Sequence, residues 1–344
     1  MHFLHLTLLY CMLNVFSYYP DLYLPSAPTK TNEAAPVATN LIYQSKDGGQ
    51  TWEDVSYSLP INEKPEGFFA GESDLYLRVG NVMYRSKSNL QTPVWIKENV
   101  LDSQSTSIVF NRSGVVAYNE DGQIYQKMPA RGNWLPVYTN FKKHAMRTIF
   151  ETTDGTVFIG SDNGLFKSVD RGESWKQVQQ KGWVMDMVES EGVLIGTSQN
   201  GIMRSTDKGE HWEWVISEGG VGIAVERIEG GFAAISYSAS TQSRRIRISL
   251  DGGKTWKAID EGLPASLSIS SIKQMGNYLL CGHPDGIFRS ADMGKTWSMV
   301  HSSVDSNDYK YVKLVNTPYY DQRKVFTIYV SGHIVYAVAR EGGC

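Results

Sequence analysis

Five segments of the chain share the pattern Ser-x-Asp-x-Gly-x-x-Trp: SKDGGQTW from Ser45, SVDRGESW from Ser168, STDKGEHW from Ser205, SLDGGKTW from Ser249 and SADMGKTW from Ser290. Two further segments keep only the preceding strand-like run and the tryptophan, NVMYRSKSNLQTPVW ending at Trp95 and GQIYQKMPARGNW ending at Trp134. The tryptophans at 52, 95, 134, 175, 212, 256 and 297 are spaced by 43, 39, 41, 37, 44 and 41 residues. Self-similarity at such a period means an array of one supersecondary unit, and about 41 residues is the length of a four-stranded blade arranged around an axis.

One unit shows how its strands follow. VMDMVES (Val184 to Ser190) and GVLIGTS (Gly192 to Ser198) read as short strands, Gln199-Asn200-Gly201 turns the chain, IMRST continues, the Ser-x-Asp motif turns it again, and HWEWV closes. The turn between second and third strand recurs at Asp121-Gly122, Asn163-Gly164, Asn200-Gly201 and Asp285-Gly286, dipeptides that tolerate positive φ in tight hairpins. The termini are complementary. LIYQS, before the first motif, is a third strand with no first or second upstream, whereas KVFTIYVS and HIVYAVAREGG are a first and second strand with no third or fourth. The sequence therefore predicts an all-β, seven-bladed propeller over 39–344, with four antiparallel strands per blade and one blade shared by both termini, since only closure removes exposed strand edges.

The motif resembles the Asp-box, or BNR repeat, found in sialidases, xyloglucan-degrading hydrolases, sortilin-type receptors and photosystem II assembly factors. A single propeller of seven blades is most similar to the assembly-factor group. Physically the motif is a hairpin device: Asp47, Asp170, Asp207, Asp251 and Asp292 can accept hydrogen bonds from turn N–H groups, and Trp52, Trp175, Trp212, Trp256 and Trp297 can bury large areas between sheets. The resemblance places these turns on the face opposite the ligand site. Five equivalent acids at five symmetric turns cannot converge on one substrate, so the boxes are structural and no catalytic residue is assigned.

The opposite face collects the loops from strand two to strand three and from strand four to the next strand one. This register puts Arg78, Glu120, Asp162, Tyr237, His283 and Arg340 at second-strand ends, and Lys142, Lys143, His144, Arg147 and Trp183 on fourth-to-first connections. The long stretch after Trp297 adds Tyr319, Tyr320 and Arg323. From these, Arg78, Lys142, Lys143, His144, Arg147, Trp183, Tyr237, His283 and Arg340 are the candidate ligand- or partner-binding residues. The sialidases also carry an Arg-Ile-Pro stretch before the first box, a three-arginine clamp, a Tyr–Glu nucleophile pair and an acid Asp. Here the corresponding segment is TNLIYQS, without Arg or Pro. The resemblance thus implies a non-catalytic propeller that binds a protein or carbohydrate partner as an assembly or recognition factor; the alternative is a sialidase-like exo-glycosidase.

Composition removes other classes. With 33 Lys+Arg against 36 Asp+Glu the formal charge is 33 − 36 = −3, which gives no electrostatic case for nucleic acid. Cys11, Cys281 and Cys344 cannot build a disulfide framework, and no Cys-x-x-Cys or His-x-x-x-His spacing supplies a zinc site, so neither metal nor cofactor is expected. Residues 1–19 are mostly apolar and read as a signal peptide or N-terminal anchor, and 20–38 as a Pro/Ala/Thr-rich linker. The expected protein is an extracytoplasmic monomer, periplasmic or secreted, whose contact with a membrane would run only through that anchor.

Overall fold

Short strands apolar on both faces must be covered on both sides, and the chain meets this need by stacking small sheets against one another in a ring. A computed structural model describes residues 40–60, 65–99, 107–128, 132–141, 145–180, 182–303 and 324–341. The expectations for residues 1–38, for Lys142, Lys143 and His144, and for Tyr319, Tyr320 and Arg323 lie outside the described residues.

Blade one holds β1 (Ile42–Ser45) and β2 (Glu53–Asp54) and is completed from the other end of the chain. Blade two holds β3 (Gly67–Ala70), β4 (Asp74–Val79), β5 (Val82–Lys87) and β6 (Ile96–Glu98). Blade three holds β7 (Ser107–Asn111), β8 (Gly114–Tyr118), β9 (Ile124–Lys127) and β10 (Trp134–Val137), and blade four β11 (Met146–Glu151), β12 (Val157–Ser161), β13 (Gly164–Ser168) and β14 (Lys176–Gln180). Blade five holds β15 (Val184–Ser190), β16 (Val193–Ser198), β17 (Gly201–Ser205) and β18 (Glu213–Ile216). Blade six holds β19 (Gly222–Ile228), β20 (Gly231–Ser238), β21 (Ser243–Ser249) and β22 (Lys257–Ala258). Blade seven holds β23 (Ser271–Met275), β24 (Tyr278–His283), β25 (Gly286–Ser290) and β26 (Ser298–Ser302). The last two strands, β27 (Lys324–Ser331) and β28 (Ile334–Glu341), join blade one in the order β2-β1-β28-β27. Apart from the strands the described residues hold one short 3-10 turn, Ser56–Ser58.

Closure is by side-by-side pairing of the termini. Ile42 to Ser45 pair with Val338 to Val335, and the Ala339 N–H donates to the Leu41 carbonyl at 2.8 Å. The first strand of each blade touches the first strand of the next, around the whole circle and back from β27 to β3. Second strands are buried on both faces, as in Gly231–Ser238, whereas outer strands such as Lys176–Gln180 are largely exposed.

The core is divided in the same way. Among the described residues seven hydrophobic clusters are found, one at each junction between neighbouring blades. Each contains one of the seven period-spaced tryptophans, always contributed by the later blade of the pair: Trp52 between blades seven and one, Trp95 between one and two, and so on to Trp297 between six and seven. The period in the sequence is thus the period of the blade junctions.

Candidate functional site

The five boxes are built alike. The serine hydroxyl donates to the aspartate Oδ1 at 2.7–2.8 Å and accepts from the box glycine N–H at 2.7–2.9 Å. Oδ1 also takes the N–H four residues on from the aspartate in every box, and Oδ2 takes the side chain of that same residue: the hydroxyls of Thr51, Ser174, Thr255 and Thr296, or Nδ1 of His211. These bonds favour the ionised form. The Ser174 hydroxyl and N–H hold Asp170 at about 2, and those of Thr296 hold Asp292 at about 2. Partial burial works against the Asp47 carboxylate, but the Thr51 and Ser45 bonds outweigh it and bring that group to about 2 as well. Asp207, through the His211 N–H, and Asp251, through Thr255, are also held below the usual carboxylate range. A carboxylate so committed is not a proton donor for a substrate.

The boxes also join blades. Gly209 has φ +76°, and a Cβ there would stand 2.4 Å from the Phe158 ring of the preceding blade, so the residue serves both conformation and close approach. Third-strand cations reach the next blade's box turn: Lys167 Nζ to Glu210 Oε1 at 2.6 Å, Arg204 Nε to the Gly252 carbonyl at 2.7 Å, and Arg289 Nε to the Gly48 carbonyl at 3.0 Å. The indole N–H of Trp52, Trp175, Trp212 and Trp256 donates to its own box glycine carbonyl, while that of Trp297 donates to the Ile259 carbonyl of blade six at 2.6 Å.

On the opposite face the candidate residues are held separately. Arg147 Nε donates to Asp162 Oδ1 at 2.6 Å within blade four, and this bond raises the guanidinium's pKa. Arg78 Nε lies 3.8 Å from Glu66 Oε2 in blade two, and Arg340 Nη2 donates to the Tyr329 hydroxyl at 2.9 Å in blade one. Arg147 and Arg340 are therefore bonded inside their own blades, whereas the buried Arg78 Nε has no hydrogen-bond partner among the described residues. Trp183 is half-buried between blades four and five, where its carbonyl accepts from the Gln199 N–H, and the Glu120 carbonyl accepts from the Met146 N–H. Tyr237 is half-buried with its ring against Gly220.

His283 is 1% exposed, its Nδ1 accepting from the Asp285 N–H at 3.0 Å and its Nε2 facing the Pro264 carbonyl at 2.9 Å. With one ring nitrogen accepting and the other directed at a carbonyl, the ring is a brace for the connection that carries Pro264. The glycines of the second-to-third turns have a further reason. A Cβ on Gly201 or Gly286 would stand 1.9 Å from the Ile216 carbonyl or 2.0 Å from the His301 carbonyl, so fourth-strand approach, beyond turn conformation, demands glycine there.

Two features were not anticipated from the sequence. First strands of several blades bring Asp186, Glu226, Lys273 and Tyr329 together at the inner edge of the ring. Lys273 Nζ pairs with Glu226, and Asp186 accepts the edge N–H of Val225 at 3.2 Å and its neighbour Met187 N–H at 2.9 Å. Burial pushes the Asp186 carboxyl up to about 6, against the opposing charge of Lys273. The second feature is a groove of about 400 Å³ in blade six, on the loop face, between the tip of β21 and the connection to blade seven. Its signal in the sequence is the interval of 44 residues from Trp212 to Trp256 after one of 37. Among the described residues no group of three or more His, Cys, Asp or Glu side chains could hold a metal ion, and no helix is long and apolar enough to cross a membrane.

The BNR/Asp-box repeat family matches residues 247–258, the stretch around Asp251 and Trp256. No curated protein matches the sequence. Among solved structures the chain is similar to the GH74 xyloglucanase from Xanthomonas campestris, with TM-score 0.56 and 15% identity over 74% of this chain and 50% of that one. It is similar to YCF48 bound to D1 peptide, with TM-score 0.54 and 14% identity over 83% of this chain and 95% of that one. A streptogramin B lyase gives TM-score 0.60 and 12% identity over 87% and 98%. The chain spans about half the length of the xyloglucanase. At these identities the likeness is one of fold, shared by a hydrolase, a lyase and a peptide-bound protein.

Proposed function

We propose that this BNR-type seven-bladed propeller is a non-catalytic, exported binding protein whose loop face holds a protein or glycan partner, acting as an assembly or recognition factor. The observation that supports this reading is the pairwise commitment of the loop-face charges. Arg147 is bonded to Asp162 and Arg245 to Asp260, each within one blade. A sialidase-like hydrolase instead needs arginines from several blades aimed at one substrate carboxylate, with a nucleophile and an acid held beside them. The binding of a D1 peptide by YCF48 is of the kind proposed here, a propeller whose product is a contact. The apolar stretch 1–19 supports export, and the chain is read as an extracytoplasmic monomer.

The test of this reading is hydrolysis. Full-length protein incubated with chromogenic sialosides and a panel of other chromogenic glycosides should release no more product than buffer. Turnover that disappears in Asp162→Asn or Asp260→Asn, while the variant melts as a folded protein, would establish the hydrolase in its place.

A further inference from the structure

On the loop face blade six combines a longer hairpin and a longer connection than blade five. Four residues separate the last paired positions of its β20–β21 hairpin, Ser238 and Ser243, whereas two separate them in blades four, five and seven. Its connection to the next blade, residues 259–270 between β22 and β23, is 12 residues long, against five between β18 and β19 and three between β14 and β15. The outer strand β22 stops after two residues, so the chain swings away and arches past the raised end of β21. The groove of about 400 Å³ lies between the two, within the size range of ligand pockets.

The arch is fixed in place. Arg245 holds Asp260 through two bonds at 2.5 and 2.9 Å, with the Asp260 side chain 8% exposed. The Arg244 N–H donates to the Ser266 carbonyl and its Nη1 to the Ile269 carbonyl, both at 2.8 Å, and His283 braces Pro264 from blade seven. A groove held this firmly avoids part of the ordering cost of binding.

Its chemistry narrows the occupant. The lining contains Leu263, Ala265 and Ile269 and no aromatic ring, so it offers a seat for an aliphatic side chain and no flat surface on which a sugar ring could stack. The outward backbone groups of β21 are already bonded, Arg244 N–H to Ser266 and the Ile246 carbonyl to the Ile259 N–H, so the occupant is read by its side chains and not by strand addition. Arg245 and Asp260 are bonded to each other, so the difference in charge between the walls comes from Arg244 on β21 and the exposed Glu261 on the arch. An extended chain, whose successive side chains point opposite ways, complements such a pair of walls. We infer that the blade-six groove receives a short extended peptide of a partner protein, seating one aliphatic side chain on Leu263 and Ala265 and directing an acidic one to Arg244. This inference rests on the loop-face reading above and names its partner class and place.

The experiment is selection of a displayed library of unconstrained twelve-residue peptides on the immobilised full-length chain, followed by titration of the winning synthetic peptides. Ala265→Trp changes an exposed residue and fills the groove; Thr241→Trp does so from the hairpin side and serves if the first variant fails to melt like wild type. Arg78→Glu/Arg340→Glu alters the loop face outside the groove, and Leu250→Arg alters the box face. Peptides carrying an aliphatic residue next to an acidic one, whose Kd rises at least tenfold with a groove-filling variant and stays within twofold for the other two, are the expected result. Binding that ignores the groove variants but falls with Arg78→Glu/Arg340→Glu would overturn the groove and leave the loop-face reading standing. Binding lost only in Leu250→Arg would overturn both. A library that yields no binder would overturn the peptide assignment, as would binding of a monosaccharide panel that Ala265→Trp abolishes.

Discussion

Replacing Asp186 by asparagine should make the protein more stable at pH 8 and leave it nearly unchanged at pH 4. The carboxyl lies at the inner edge of the ring, faced by Lys273 and Glu226 from blades seven and six and by Tyr118 from blade three, and burial lifts it from 3.8 to about 6. A carboxyl raised in the folded state favours folding in its protonated form. Its contribution is therefore fully present below pH 3.8 and is lost as the pH rises through about 6. The shift of roughly two units corresponds to about 3 kcal/mol, from which about 1 kcal/mol is subtracted because one amide oxygen cannot accept both the Val225 and Met187 N–H bonds as the two carboxylate oxygens do. About 2 kcal/mol of net stabilisation remains. With an unfolding entropy of about 2.1 cal/mol/K per residue over roughly 300 residues, this raises Tm by about 3 °C at pH 8. Thermal and urea unfolding of wild type and Asp186→Asn, run at pH 4, 6 and 8, provide the assay. A variant less stable than wild type at pH 8, or one whose difference does not change with pH, would refute the reasoning that burial dominates at this position.

Three further outcomes are expected. Gly282→Ala places a Cβ 1.9 Å from the Phe326 carbonyl of the adjoining first strand and should cost about 3 kcal/mol, whereas Gly262→Ala meets nothing within 4 Å and should cost about 1 kcal/mol for its positive φ alone; urea midpoints compare them. The box carboxylates are held below 3.8, so their contribution is present above about pH 4 and is lost as the pH falls toward 2; acid unfolding of Asp207→Ala should begin from a lower Tm at pH 7 but show a shallower decline than wild type. Deleting residues 324–344 removes β27 and β28 and leaves β1 and the flanking blades with open edges, so the truncated chain should be found in the insoluble fraction; a monomeric truncation that unfolds in one step would count against terminal closure.

The boxes made much of the ring legible because their chemistry is local. Ser205, Asp207, Gly209 and His211 lie within seven residues and satisfy one another wherever the chain goes, and Trp212 marks a junction by its size alone. Counting such units gave the number of blades, and the half-units at the termini gave the closing pair β1–β28. Blades two and three were legible from Trp95 and Trp134 even without a box. What the local pattern omitted was everything that one blade does to the next, such as Lys167 reaching Glu210 across 43 positions or the Gly282 backbone meeting Phe326.

The loop face shows the same division more sharply. Its residues could be assigned to a face, since strand order and turn position follow from the period. Their roles could not, because a role there depends on which side chains meet across separate connections. His283 read as a ligand group and is buried with its ring nitrogens on the Pro264 carbonyl and the Asp285 N–H, while Arg244, Arg245 and Asp260 attracted no notice in the sequence and build the groove. The sequence by itself determined the repeating unit, the blade count, the closure and the face, all consequences of hydrogen bonds and burial within some 40 residues. Only the tertiary structure decided which arginine meets which carboxylate and where a cavity opens, since those depend on distances between strands that the chain sets far apart.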